Sequence, residues 1–279
     1  MSLSEQFAQF RTSHPILHRS VSGNDWSFID TRVGERTVVI LPGGGGDAAS
    51  MFPVAAALER SCRVIAIGYP PTAKTARELV EGLRAVLDDC GVAHCCLLGH
   101  SLGGFVERAF AQAYPQRVDA LIIANSAVYT PGRGRFIKAM LPVFFVVPRP
   151  LLVWGIRSKF NSLLKTLPDA DREFWISYVM QSELVKPKSK GLHNQAGCML
   201  DFIRHDRENP APPPGWPGRV LIIESSQETG FTLEERRLLR SLYPGATVHV
   251  IQGAGHASFI THPLEFVETV DNFLTPTKK

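Results

Sequence analysis

Short, near-continuous apolar runs that alternate with amphipathic stretches constrain this chain more than any other feature. They are TVVIL (37–41), RVIAI (63–67), CCLL (95–98), VDALIIA (118–124), VLII (220–223) and TVHVI (247–251). Such runs are too short for buried helices and too continuous for strands with one wet face. They read as strands of a mostly parallel sheet with helices on both faces. Between them, Leu79, Leu83, Val86 and Leu87 recur at helical spacing in a helix expected over Ala73–Leu87. Leu102–Tyr114, Leu233–Leu242 and Pro263–Phe273 also read as helices. Ile16–Val21 and Trp26–Thr31 read as two further strands joined by a Gly23-Asn24 turn.

The alternation lapses after Ser126, where proline, glycine, bases and aromatics mix, and resumes beyond the PAPPPGWPG run at 210–218. The expected organisation is therefore one α/β core, residues 1–125 and 215–279, with a mainly helical cap inserted at 126–214. The most apolar stretch, Ala139–Ile156, is interrupted by Pro142, Pro148 and Pro150 and carries Arg149, which makes it a poor membrane span. At 44% hydrophobic and 20% charged residues the chain has the composition of a folded domain, which excludes disorder.

Thirty bases against 26 acids give a net charge of +4, no footprint for nucleic acid. The distribution is more informative. From Ala120 to Pro168 there is no Asp or Glu, but Arg133, Arg135, Lys138, Arg149, Arg157, Lys159 and Lys165 all occur there. This cationic segment also holds the apolar residues from Phe136 to Trp154. It is suited to roofing an apolar acyl pocket and to attracting an anionic group or an acidic membrane surface. The opening MSLSEQFAQFRTSHP has no apolar core of signal-peptide length, and the five cysteines include no CxxC pair. A cytoplasmic location without metal or disulfide framework is the expectation.

Gly99-His100-Ser101-Leu102-Gly103 follows an apolar strand and precedes a helix. In that context G-x-S-x-G places a serine Oγ on a sharp turn above the sheet edge, with the helix's free N–H groups aimed at the site. A nucleophilic serine needs a base. His256, in GAGH just after the last strand, lies where such a turn projects; the other eight histidines have no comparable setting. The orienting acid is expected after the strand VLII, where Glu224 and Glu228 compete. Glu228, in the turn SSQETG, is favoured because a side chain there can reach back to the histidine. Asn125 ends the preceding strand, but an amide there can only hydrogen-bond. Pro42 and the four glycines 43–46 lack the Lys-Ser/Thr of a phosphate-binding loop. No acid ends the following strand, as a dinucleotide site would require. Read with Ser101, the run suits an oxyanion hole made by the N–H groups of Gly44 and Leu102.

These pieces together resemble the α/β-hydrolase family, from the strand before PGGGG to GAGHASFITHP. The resemblance implies an eight-stranded sheet with a cap after the sixth strand, and no cofactor. It assigns Ser101, His256 and Glu228 to a triad, acting on a small-molecule acyl substrate through an acyl-enzyme. A serine at the elbow argues against the dehalogenase and epoxide hydrolase branches, which use an aspartate there. The chain departs from the family pattern in having Pro42 where a histidine is usual and Glu where Asp is commoner. LPGGGG, GHSLGGF, NSA and ETGFTLEERRLLRSLYPGATVHV also look like maspardin and its relatives. That likeness implies a rival reading, a non-catalytic binding or adaptor protein on a hydrolase scaffold. Maspardin-like proteins lack the triad histidine that His256 supplies here.

Overall fold

The computed structural model describes residues 1–182, 191–208 and 215–275, with side chains there except at 131, 141, 143–146, 149, 192 and 207. In chain order the strands are β1 (Leu17–Val21), β2 (Asn24–Asp30), β3 (Thr37–Leu41), β4 (Arg63–Gly68), β5 (Cys95–His100), β6 (Val118–Ala124), β7 (Arg219–Ser225) and β8 (Thr247–Ile251). The helices are α1 (Leu3–Ser13), α2 (Phe52–Leu58), α3 (Ala76–Asp89), α4 (Leu102–Ala113), α5 (Pro131–Val146), α6 (Arg149–Leu163), α7 (Asp169–Met180), α8 (Gly191–Glu208), α9 (Leu233–Leu242), α10 (Ser258–Thr261) and α11 (Pro263–Leu274).

The strands form one sheet in the order β1-β2-β4-β3-β5-β6-β7-β8. β2 runs antiparallel to both neighbours, and all pairings from β4 to β8 are parallel. The two faces divide the apolar runs by strict alternation. Val39, Leu41, Leu97, Leu121 and Ile123 join α3, α4 and α9 in one core. Val38, Ile40, Leu98, Ile122 and Ala124 join α1, α2 and α11 in the other. Each such side chain, fully buried, contributes about 1.5–3 kcal/mol relative to exposure, so a one-residue slip in register is strongly disfavoured. This is the α/β-hydrolase fold.

Two boundaries differ from expectation for identifiable reasons. Val21 pairs with Asn24, so the hairpin turn is Ser22-Gly23, both with positive φ (50° and 81°), rather than Gly23-Asn24. A two-residue hairpin with that twist needs two such residues, and Asn24 is then free to enter β2 and accept from Thr72 Oγ1 at 2.7 Å. Helix α3 begins at Ala76 because the Thr75 side chain caps it by accepting from the Glu78 N–H. Helix α1 was not anticipated. Its signal is the reciprocal cap between Ser2 and Glu5, followed by Phe7 and Phe10 three residues apart.

Helices α5 to α8 follow β6. Helix α8 lies on α3 and α4, fastened where Arg108 donates to Asp206 at 2.8 Å and the Ala76 N–H donates to Asp201 at 3.0 Å. Helix α7 docks on the other core through aromatics. Trp175 stacks on Phe52 at 5.8 Å, and Phe7 of α1 meets Phe52, Phe174 and Tyr178 edge-on at 5.1, 5.5 and 5.4 Å. The Tyr178 hydroxyl donates to Asp47, beside the glycine run. Helix α6 packs chiefly on α7. Residues 210–214 of the proline-rich run lie outside the described residues, and no described helix is long and apolar enough to cross a membrane.

Phe10 is 5% exposed and sits between α1 and Phe52. Phe10→Ala is expected to lower stability by about 3–5 kcal/mol through loss of buried surface and the cavity left behind. A reduced urea midpoint at unchanged m-value is the measurement.

Candidate active site

Strand β5 ends at His100 and α4 begins at Leu102, leaving Ser101 alone at the junction with φ 53° and ψ −109°. A non-glycine residue held there costs roughly 1–3 kcal/mol, and its surroundings fix it. The Ser101 N–H donates to the Ala124 carbonyl at 3.0 Å, and the Ser101 carbonyl accepts from Ser126 Oγ at 2.8 Å. The flanking glycines are needed for proximity rather than for turning. A Cβ on Gly103 would stand 2.1 Å from the Leu41 carbonyl oxygen, and one on Gly99 would stand 2.4 Å from the Gly103 carbonyl carbon. The positive φ belongs to the serine itself.

His256, between β8 and α10, brings Nε2 to 3.0 Å from Ser101 Oγ and Nδ1 to 2.8 Å from Glu228 Oε1. An ionised carboxylate only accepts, so Nδ1 carries the proton and Nε2 is left to accept from the serine hydroxyl. The Glu228 side chain is fully buried, which by itself would raise its pKa. The His256 hydrogen bond, the His256 charge, the Gly230 N–H at 2.6 Å and Asn125 Nδ2 at 3.0 Å outweigh burial and lower it to about 2. Asn125 is in turn held by Ser225, which accepts at 2.7 Å, and by the donating hydroxyl of Ser258. Glu224 takes no part. It is buried between Arg236 and Arg240, accepting at 2.7 to 2.9 Å.

The glycine run lies against this junction. A Cβ on Gly43 would meet Ser101 Cβ at 3.4 Å, and residues 43–46 close as a turn with Gly46 N–H donating to the Gly43 carbonyl. Gly44 faces α8: a Cβ there would meet Gln195 Oε1 at 3.0 Å. Leu102 takes the first position of α4, where a backbone N–H has no acceptor within its own helix.

The sequence profile of the alpha/beta hydrolase family matches residues 38–269. The chain belongs to that family. Among curated relatives, it is 26% identical to a 2-hydroxy-6-oxononadienedioate/2-hydroxy-6-oxononatrienedioate hydrolase of Paraburkholderia phymatum, covering 88% of this chain and 89% of the relative. It is 24% identical to the pimeloyl-[acyl-carrier protein] methyl ester esterase of Aeromonas hydrophila, covering 85% and 94%. A crystal structure of a hydrolase from Pseudomonas aeruginosa superposes with a TM-score of 0.78 at 20% identity, over 94% of this chain and 99% of that one.

In this alpha/beta hydrolase two hollows flank the elbow. The larger, about 760 Å³, holds Ser101 and His256 and is walled by Ser158, Lys159 and Ser162 of α6, then Lys165 and Thr166, opposite Gln227, Thr229 and Phe231. The smaller, about 240 Å³, is lined by Leu102, Gly45, Tyr69, Gln195 and Cys198. Helix α6 gives this hollow a mixed wall, with Trp154 and Leu163 lining it beside Ser158, Lys159 and Ser162, while Leu151 is 59% exposed and Trp154 70%. The side chains of Leu141, Val143, Phe144, Phe145 and Val146 lie outside the described ones.

Gly230 and His100 were not singled out as site residues. A Cβ on Gly230 would stand 2.7 Å from His256 Nδ1, and the readable signal was a glycine two places after the favoured acid. His100 Nε2–H donates to the His256 carbonyl at 2.9 Å, tying the histidine's loop to the elbow. Burial, reinforced by the neighbouring His256, lowers the His100 pKa to about 3. The folded state therefore refuses a proton that an unfolded histidine accepts near pH 6.5. The unfolded chain binds more protons below that pH, so the His100 contribution to stability is complete above about pH 6.5 and declines toward pH 3. The slope is about 1 kcal/mol per pH unit. Urea titrations at pH 5, 6 and 7.5 are expected to show this slope in the native sequence and a flatter dependence in His100→Gln.

Proposed function

We propose that this hydrolase cleaves an ester or thioester through an acyl-enzyme on Ser101. The observation that carries the reading is the continuous relay from Ser101 Oγ to His256 Nε2 and from His256 Nδ1 to the buried, ionised Glu228. His256 takes the hydroxyl proton as Oγ attacks the carbonyl carbon, and the carbonyl oxygen becomes an oxyanion. The N–H groups of Gly44 and Leu102 receive that charge, each such donor typically lowering the barrier by about 3 kcal/mol. As the intermediate collapses, the His256 Nε2 proton passes to the departing alkoxide or thiolate. Water, deprotonated by the same nitrogen, then attacks the acyl carbon, and the proton returns to Ser101 as the acid leaves. Glu228 stays ionised throughout and stabilises the imidazolium.

In this reading helices α5 to α8 act as the cap over a core made of residues 1–125 and 215–279, and the substrate enters between α6 and the elbow. A binding or adaptor role, which the maspardin likeness implies, gives no use to a hydrogen-bonded serine and histidine at the mouth of a cleft.

A fluorophosphonate probe is expected to label the native protein once, and Ser101→Ala is expected to lose both labelling and ester turnover while keeping its melting temperature. Undiminished turnover in folded Ser101→Ala would overturn the mechanism, and absence of labelling in the native protein would favour the adaptor role.

The two glutamates are expected to separate by readout. Glu228→Gln lowers kcat by about 10³–10⁴-fold, because the amide neither holds the imidazole tautomer nor carries charge. Glu224→Gln leaves kcat of the folded protein near native but costs about 1–3 kcal/mol, since it strips the charge that two arginines share. Steady-state kinetics beside urea denaturation distinguishes them.

A further inference from the structure

The two lysines in the cleft have no assigned work in the chemistry above, and their setting is unusual. Gly155, Ser158, Lys159 and Ser162 fall at i, i+3, i+4 and i+7, one stripe of α6, which together with the flanking Trp154 and Leu163 lines the cleft that holds Ser101 and His256. Lys165, just past the end of the helix, continues it. No Asp or Glu lines this cleft, and neither ammonium has a carboxylate partner among the described residues. Arg157, on the same helix but outside the stripe, is by contrast paired with Glu173 at 2.7 Å. The acid-free stretch from Ala120 to Pro168 thus leaves two cations in the cleft of the reacting serine, while Glu173, beyond that stretch, neutralises a third.

The geometry also gives the cleft a chemical side. The proton that leaves His256 Nε2 goes to the departing atom, so the leaving half of a substrate lies within hydrogen-bond reach of that nitrogen. His256, Gly253 and Gly255 line the larger cleft together with both lysines. Leu102, whose N–H faces the carbonyl oxygen in the mechanism above, lines the smaller hollow of about 240 Å³. On the mechanism proposed above, the small hollow suits the acyl half and the cationic one the leaving half.

We infer that Lys159 and Lys165 bind an anionic group, carboxylate or phosphate, on the alcohol or thiol half of the substrate. The inference rests on the ester or thioester reading of the site. Because both lysines are exposed to solvent in the cleft, the attraction is screened by salt. Exposed pairs of this kind change binding by roughly three- to tenfold in total.

The experiment compares short-acyl esters of matched size: one neutral, one with a carboxylate on the alcohol half, one with a phosphate there, and one with the carboxylate on the acyl half. The quantity read is kcat/KM of each anionic ester over that of the neutral one, in the native protein, Lys159→Gln/Lys165→Gln and Lys159→Arg/Lys165→Arg, at low and high salt. The expected result is a preference of roughly three- to tenfold for an anion on the alcohol half. It is lost in the glutamine variant and at high salt, and kept in the arginine variant. The larger of the carboxylate and phosphate ratios names the anion. Equal ratios for alcohol-side and acyl-side anions, or a preference that survives in the glutamine variant, overturn the inference. Equilibrium binding of the same esters to Ser101→Ala, by calorimetry, reads the subsite without turnover. Charge-selective binding without turnover or labelling in the native protein overturns the hydrolase reading alone. Turnover without charge selectivity overturns the subsite alone.

Discussion

Strand β5 and helix α4 approach so closely that no side chain fits between them, and the site depends on this contact. With Gly103 against the Leu41 carbonyl and Gly99 against Gly103, the chain reverses within a single residue. Ser101 takes up the whole conformational cost, at a φ of 53° that a larger clearance would have let a glycine absorb. The same closeness sets His100 beneath the His256 loop and Ser126 beside the Ser101 carbonyl. Nucleophile, base and neighbouring strand end are therefore held by backbone geometry before any side-chain rotamer is chosen.

Electrostatics in the interior follow the supply of donors rather than depth alone. Glu228 and Glu107 are both buried, and they end in opposite states. Glu228 receives hydrogen bonds from His256, Gly230 and Asn125, which keep it ionised. At Glu107 burial outweighs the Arg108 charge and the Gly99 backbone, and pushes the pKa well above the usual range, toward the neutral form. His100 follows the same rule with the sign reversed: burial and the neighbouring His256 outweigh the hydrogen bond to the His256 carbonyl and the Glu228 charge, which keeps the ring neutral.

Much of this was legible in the residues because it depends on local pattern. The buried strands β3 to β8 announce themselves as apolar runs, the elbow as a motif between strand and helix, and Glu228 as an acid in a turn after β7. Less legible features depend on what lies across space. Helix α1 opens a polar segment, and only its cap and the pair Phe7 and Phe10 betray that it covers α2 and α7. Asn125 could be read as a hydrogen-bonding residue at a strand end, but its three side-chain partners come from β7, the following turn and α10. The orientation of α6 was unreadable for a physical reason. Its apolar and polar residues do not segregate as on an ordinary surface helix, so periodicity does not say which stripe faces the cleft.

Helix α6 leans chiefly on α7, and α7 is clasped by α1 through Phe7. The cleft wall that bears the lysines is thus connected, by way of two helix contacts, to the amino terminus. Phe160 and Leu163 also seat α6 directly against the core that holds α2 and α11. That wall of the cleft is thus braced from two sides, by the core beneath Phe160 and Leu163 and by the first helix through α7.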